Sequence, residues 1–210
     1  MELNQYLSSQ RRHRLPLQDR LLAEEGTRND ICPSVGFELG SLLYILIRAL
    51  GARRVLEVGT SVGYGAIWMG LALKETGGVL DTIEEKPHLA AEAVENVREA
   101  GLSGEVRVHQ EMDASLMDRL PGPYDIILQD ASSASYPALL DALTGRLRPG
   151  GLMLADDVLF AVTAGRPGPR ARLQEYNQEI SGRPDLFSTI LALGDGLAVS
   201  LKLPEDKSYD

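Results

Sequence analysis

From residue 53 onwards, short apolar runs alternate with longer stretches of helical periodicity, and this alternation confines the chain to few folds. The short runs read as strands at Arg53–Val58, Val79–Ile83, Val106–His109, Tyr124–Leu128 and Leu152–Ala155. Helical patterns fill the intervals at Tyr64–Lys74, Pro87–Ala100, Ser115–Leu120, Pro137–Leu147 and Pro169–Ile180. The second of these opens on a proline in its first turn and stops at Gly101. Leu186–Leu193 and Leu197–Leu203 read as a closing hairpin around Gly194-Asp195-Gly196. Strand, helix and strand repeated in this way predict a doubly wound α/β fold, a mostly parallel sheet with helices on both faces. The hairpin supplies one antiparallel edge strand. Upstream, Pro33–Leu50 predicts a mostly buried helix. Residues 1–32 form a charged segment in which Leu17, Leu21 and Leu22 mark a short helix, ahead of a single domain over 33–210.

A chain of 210 residues makes about one domain and buries enough apolar surface to need no staples. Lys and Arg total 21 against 30 Asp and Glu, a formal charge of −9, where a nucleic-acid binder presents a basic patch. One Trp, seven Tyr and three Phe leave little for a base-stacking platform. The single cysteine, Cys32, excludes an intrachain disulfide and fits a reducing compartment. The apolar run Leu42–Ile47 ends at Arg48, far short of the ~20 residues of a membrane span. Arg11, Arg12 and Arg14 lead into polar sequence rather than the apolar core of a signal peptide. The expectation is a soluble cytoplasmic protein with neither nucleic-acid nor membrane partners.

In open α/β sheets ligands bind beyond the carboxyl ends of the strands. Here Glu57 stands just before Gly59, Glu84 and Glu85 close the second strand, and Asp113 follows the third. Asp130 ends the fourth and Asp156-Asp157 the fifth. Any one of these acids reads equally well as a solvated cap. Together on one edge they crowd negative charge around a crevice, a cost that a cationic or hydroxyl-rich ligand offsets. The turn Glu57-Val-Gly59-Thr-Ser61-Val-Gly63-Tyr-Gly65 reads G-x-x-x-G-x-G, not the G-x-G-x-x-G that cradles a dinucleotide pyrophosphate. Glu84, 25 residues after Gly59, stands where an acid binds a ribose diol. A ribose-binding acid without a phosphate-binding turn points to a nucleoside cofactor lacking pyrophosphate, S-adenosylmethionine foremost. The bland alternative is a structural strand–helix turn.

On these residues the chain resembles the cation-dependent O-methyltransferases typified by catechol and caffeoyl-CoA O-methyltransferases. The motifs are RVLEVGTSVGYG over Arg54–Gly65, TIE over Thr82–Glu84 and YDIILQDASSASYP over Tyr124–Pro137. RPGGLMLADDVLF over Arg148–Phe160 and LGDGL over Leu193–Leu197 complete the set, and the resemblance runs from about Pro33 to Lys202. The first motif marks only the wider superfamily; the combination is far more specific. The resemblance implies a Rossmann-like seven-stranded sheet of order 3-2-1-4-5-7-6 and a homodimer. It implies that Gly59, Ser61 and Gly65 line the methionine and ribose end of S-adenosylmethionine, with Glu57 nearby and Val35 approaching. Glu84 would hold the ribose hydroxyls and Asp113-Ala114 lie against the adenine. The implied metal ligands are Asp130, Asp156 and Asp157, with Asp130 serving cofactor and catalysis as well. Ends of neighbouring strands lie ~4.8 Å apart, near enough for two carboxylates to share a cation. Oxygen ligands suit Mg²⁺, Mn²⁺ or Ca²⁺ rather than Zn²⁺. His13, His88 and His109 fall outside this pattern; His109 reads as a satisfied strand residue and His88 as a surface helix residue. The implied activity is methyl transfer to a hydroxyl of a small, catechol-like aromatic.

Two positions depart from the family pattern. The family's presumed general base is a lysine three residues after the first metal aspartate, and here that position is Ser133. A serine hydroxyl takes no proton at neutral pH, so Ser133 can only hydrogen-bond or position. Asp157 stands where the family has Asn, making the site one charge more negative. The departures keep two other readings open: a cofactor-binding protein with lost or altered catalysis, and methyl transfer to another acceptor without a metal. A nicotinamide dehydrogenase is the weakest option on glycine spacing. Trp68 and Met69 read as core, Tyr136 as a helix start within reach of the substrate edge, and Asp195 as a turn residue.

Overall fold

Each apolar run presents apolar side chains at successive positions, so as a strand it needs cover on both faces. In the structure, a computed structural model describing residues 6, 15–31, 34–110, 119–132, 135–160 and 167–204, these runs form one sheet. Its strands are β1 (Arg54–Val58), β2 (Val79–Ile83), β3 (Val106–His109), β4 (Tyr124–Gln129), β5 (Leu147–Ala155), β6 (Leu186–Leu191) and β7 (Leu197–Lys202). They stand in the order β3-β2-β1-β4-β5-β7-β6. The first five run parallel, and β7 runs antiparallel to both β5 and β6. The reversed strand therefore lies one place in from the edge, with β6 outside it. The helices are α1 (Pro16–Glu25), α2 (Gly36–Leu50), α3 (Tyr64–Thr76), α4 (Pro87–Glu99), α5 (Tyr136–Arg146) and α6 (Pro167–Gly182). None of the described helices is long and apolar enough to cross a membrane.

The period-two alternation of the strands splits the interior into two cores. Val55, Leu80, Ile126, Leu128 and Leu154 face a core closed by α1 to α4. Leu56, Val58, Ile83, Ile127 and Met153 face the other, closed by α5 and α6 through Leu140, Leu143, Leu173, Tyr176 and Ile180. Leu17 and Leu21 of α1 are buried in the first core, which fixes the short helix expected near the N-terminus.

Element boundaries follow the sequence closely except at β5, which starts at Leu147 rather than Leu152. The Arg148-Pro-Gly-Gly151 stretch reads as a turn, yet Leu147 pairs with Tyr124 across a register shift. Asp125 holds this irregular start: its carboxylate accepts Arg148 Nε at 2.6 Å and the backbone N–H groups of Arg53 and Arg54 at 2.8 and 2.9 Å. The Ser115–Leu120 helix lies almost wholly outside the described residues, as does Cys32.

Helices α2 and α3 pack through Gly40, where a Cβ would fall 2.3 Å from Cδ1 of Trp68. Trp68 is buried and meets Phe37 edge-to-face at 5.4 Å between ring centroids. A bulky indole thus fits between two helices only because its neighbour has no side chain. Gly40→Ala forces the indole or the helix to move, an overpacking that costs about 1–3 kcal/mol. We expect Tm to fall by about 2–4 °C per kcal/mol lost, read by calorimetry against the parent protein.

Candidate active site

The carboxyl edge is built around the turn that leaves β1. Gly59 has φ +107°, and a Cβ there would fall 2.2 Å from the carbonyl oxygen of Asp130. Only glycine lets this turn lie against the exit of β4. Three strand ends are tied together here: Gly59 and Thr60 donate backbone N–H groups to Ile83 O at 3.0 and 3.1 Å, and Asp130 N–H donates to Val58 O at 2.8 Å. Ser61 is left-handed at φ 49°, uncommon for a side-chain-bearing residue. Its N–H donates to Glu84 Oε2 at 2.8 Å, and Lys86 N–H donates to Glu84 Oε1 at 3.0 Å. Glu84 is buried and held by backbone at both oxygens.

Glu57 stands opposite Thr82 in the β1–β2 register. Thr82 Oγ1 donates to Glu57 Oε2 at 2.5 Å and lies 2.5 Å from Thr60 Oγ1, making a buried ladder of two hydroxyls and a carboxyl. Burial pushes the Glu57 carboxyl up to about 8; the Thr82 hydrogen bond opposes this and the Glu84 charge adds to it. At Gly65, in the first turn of α3, a Cβ would fall 2.6 Å from Glu57 Oε1 and 3.7 Å from Val35 Cγ2. Val35, Glu57, Gly59, Ser61, Gly65 and Glu84 are thus brought together around one turn, whose glycines let the Asp130 backbone and the Glu57 carboxyl approach.

Asp130 and Asp156 leave adjacent parallel strands, and Asp156 N–H donates to Gln129 O at 3.0 Å as the last rung between them. Asp157 is left-handed at φ 57° and turns its N–H onto Asp156 Oδ1 at 2.9 Å. Burial, then the charges of Asp157 and Asp195, push Asp156 up to about 7 against that hydrogen bond. Burial and Asp195 also push Asp157 up. Asp195 comes near because the β6–β7 turn is stapled to the segment after Asp157: Val158 N–H donates to Gly196 O at 3.0 Å and Leu159 N–H to Asp195 O at 2.8 Å. Asp130, Asp156 and Asp157 each offer hard oxygen donors, of the kind that suits a divalent cation, at the ends of two adjacent strands. Among the described residues, however, no three His, Cys, Asp or Glu side chains converge as a metal-holding group. Ser133, Asp113 and Ala114 lie outside the described residues.

The profile of the O-methyltransferase family matches residues 18–203, nearly the whole described fold. The chain belongs to the O-methyltransferase family. It is 34% identical over 130 residues to a catechol O-methyltransferase of Niastella koreensis, an alignment spanning 60% of this chain and 58% of that relative. It is 29% identical over 209 residues to the mouse catechol O-methyltransferase domain-containing protein 1, covering 95% of this chain and 79% of the relative. Among solved structures, the O-methyltransferase TomG of Streptomyces achromogenes, involved in tomaymycin synthesis and in complex with S-adenosylmethionine, superposes with a TM-score of 0.83 at 25% identity. That match covers 97% of this chain and 100% of TomG.

Several residues of this O-methyltransferase escape a reading of the sequence by motif. Thr60 and Thr82 are the hydroxyl partners of Glu57; aligning the first two strands by their acidic ends pairs Glu57 with Thr82 and exposes the link. Asp81 is buried inside the sheet, where burial alone raises a carboxyl, yet it lies below the ordinary range because His109 Nε2 at 2.9 Å and Tyr124 OH at 3.2 Å bind it. His109 is thus satisfied within the sheet, and His88 is exposed beside Asp30 at 3.3 Å, as the sequence suggests for both. Trp68 and Met69 are core. Tyr136 does not reach a substrate edge: it is buried at 1% exposure, with its hydroxyl on backbone carbonyls.

The Glu57 carboxyl generates a stability signature. Its folded value, about 8, lies above its ordinary 4.5, so between these limits the folded protein binds more protons than the unfolded chain. Stability from this group is complete below about 4.5 and is lost as pH rises through 8. We expect the Tm of the ligand-free protein to decline across this window and the decline to be shallower in Glu57→Gln, measured by thermal melts at closely spaced pH.

Proposed function

We propose that this O-methyltransferase transfers the methyl group of S-adenosylmethionine to a hydroxyl of a small catechol-like aromatic, with a divalent cation (Mg²⁺, Mn²⁺ or Ca²⁺) at Asp130, Asp156 and Asp157. The observation that supports this reading is the packing of Gly59 against the Asp130 carbonyl, which sets the glycine turn directly beside the exit of β4. When bound, S-adenosylmethionine supplies an electrophilic methyl on a sulfonium, and a divalent cation acidifies a coordinated hydroxyl. In this reading Gly59, Ser61 and Gly65 line the methionine and ribose end of the cofactor, with Glu57 nearby and Val35 approaching. Glu84, already oriented by Ser61 and Lys86 amides, accepts the ribose hydroxyls. Asp113-Ala114 flank the adenine. Asp130, Asp156 and Asp157 hold the cation, and Asp130 also faces the reacting hydroxyl.

Orientation of the acceptor and delivery of it in ionised form are the main demands of an in-line methyl transfer. The position of the family lysine is Ser133, which orients by hydrogen bonding and accepts no proton at neutral pH. Acceptors that are already fairly acidic are therefore the ones this site serves. Ser133 also motivates the second reading, a cofactor-binding protein with lost or altered catalysis; a metal-independent transfer is the third. We take the protein to act in the cytoplasm as a homodimer, for which exposed Phe187, Leu191 and Leu201 along β6 and β7 offer apolar surface.

The test is methyl transfer from labelled S-adenosylmethionine to a catechol panel with and without EDTA. We expect turnover that EDTA removes and Mg²⁺ restores, faster with electron-poor catechols and rising steeply between about pH 6 and 9 under chemistry-limited conditions. A flat pH profile counts against the cation-generated phenolate. Cofactor binding without turnover on any acceptor moves the assignment to the second reading, and turnover indifferent to EDTA to the third.

A further inference from the structure

We propose that Tyr136 is a positioning residue whose hydroxyl fixes the relative placement of Asp130, Asp156 and Asp157. Tyr136 opens α5, and its hydroxyl lies 3.1 Å from the carbonyl oxygen of Gln129 and 2.9 Å from that of Asp156. These carbonyls belong to the peptide groups joining Gln129 to Asp130 and Asp156 to Asp157. One phenol therefore grips the backbone from which all three carboxylates hang.

The grip falls where the sheet can no longer supply one. The rung from Asp156 N–H to Gln129 O, at 3.0 Å, is the last between β4 and β5, so the Asp156 carbonyl lies beyond the ladder and needs another donor, while Gln129 O meets the phenol in addition to that rung. The phenol is itself immobile. Its ring meets Tyr176 edge-to-face at 5.3 Å, and its own carbonyl accepts Gln129 Nε2 at 3.3 Å. A phenylalanine fills the same space but leaves the Asp156 carbonyl without this donor and the Gln129 carbonyl with the Asp156 N–H alone. Carboxyls on two neighbouring strand ends tend to splay, and ligands to a cation must be held within about 0.5 Å of their working geometry. A shared hydroxyl on their backbone restrains the two strand ends relative to each other.

The functional consequence rests on the proposed cation role of the three aspartates, and the experiment separates the two claims. Tyr136→Phe removes only the hydroxyl, and Tyr176→Phe controls for loss of a buried phenol from the same ring pair. With S-adenosylhomocysteine present, Mn²⁺ titration of the full chain should show affinity weakened about tenfold or more in Tyr136→Phe and unchanged in Tyr176→Phe. Affinity for S-adenosylhomocysteine itself should stay within about twofold in all three proteins, a split that general destabilisation does not produce. Unchanged Mn²⁺ affinity in Tyr136→Phe overturns the proposal. If the parent protein binds no Mn²⁺, the cation reading fails and amide exchange decides the clamp alone. Exchange at Asp156 N–H about tenfold faster in Tyr136→Phe, with central β4 amides unaltered, upholds it; unaltered exchange overturns it. Should Tyr136→Phe not fold, a slowly exchanging Tyr136 hydroxyl proton close to the Asp156 amide in the parent protein upholds the clamp, and a rapidly exchanging one overturns it.

Discussion

The approach of Gly59 to the Asp130 carbonyl is the contact on which the site depends. It closes the distance between the exits of β1 and β4, and a methyl group at that position would meet backbone at 2.2 Å. Because backbone cannot step aside as a flexible side chain can, the contact fixes the exit of β4 relative to the glycine turn. The amide bonds from Gly59 and Thr60 to Ile83 extend the same constraint to β2, where Glu84 begins. Three strands thus deliver their terminal acids with little freedom, and the proposed roles of those acids require little more than this fixed geometry.

Holding so many carboxyls in one place is an electrostatic problem, and at Glu57, Glu84 and Asp156 the chain meets it with neutral donors. Glu84 takes two backbone N–H groups, Glu57 takes the Thr82 hydroxyl, and Asp156 takes the amide of its own neighbour. None of the shifts at Glu57, Asp156 or Asp157 has a lysine or arginine among its causes, and all three lie upward of ordinary values. Among the described residues, guanidinium groups pair with other carboxylates, as at Asp125 with Arg148 and at Arg28 with Asp30 and Glu92.

The fold was legible because its signal is carried by periodicity, which survives without knowledge of partners. β2 and β3 match the expected ranges, and β1, β4, α3 and α4 differ by a residue or two at one end. The start of β5 was not legible, since Pro149 and two glycines suggest a turn and only the distant Asp125 carboxylate reveals why the chain stays extended there. In the site, acids and glycines announce themselves by spacing. Hydroxyls do not: Thr82 and Tyr136 are ordinary residues until the register and the helix start bring them onto Glu57 and the β5 exit. What motif reading misses is the layer that orients the acids, because those contacts join residues distant in sequence.

The division of the interior into two cores has a consequence for how such a chain can change. Glu57, Gly65 and Val35 belong to the side closed by α1 to α4, whereas Tyr136 and Val158 belong to the side closed by α5 and α6. The surroundings of the glycine turn and those of the β5 exit are thus founded on separate packing units on opposite faces of the sheet. Substitutions that reshape one unit need not be repaired in the other. Both departures from the family pattern, Ser133 and Asp157, fall after β4 and β5, and the glycine turn after β1 retains its full spacing. The architecture is in this sense modular across its thickness: one face can go on holding a common reagent as the other is refitted to a new recipient.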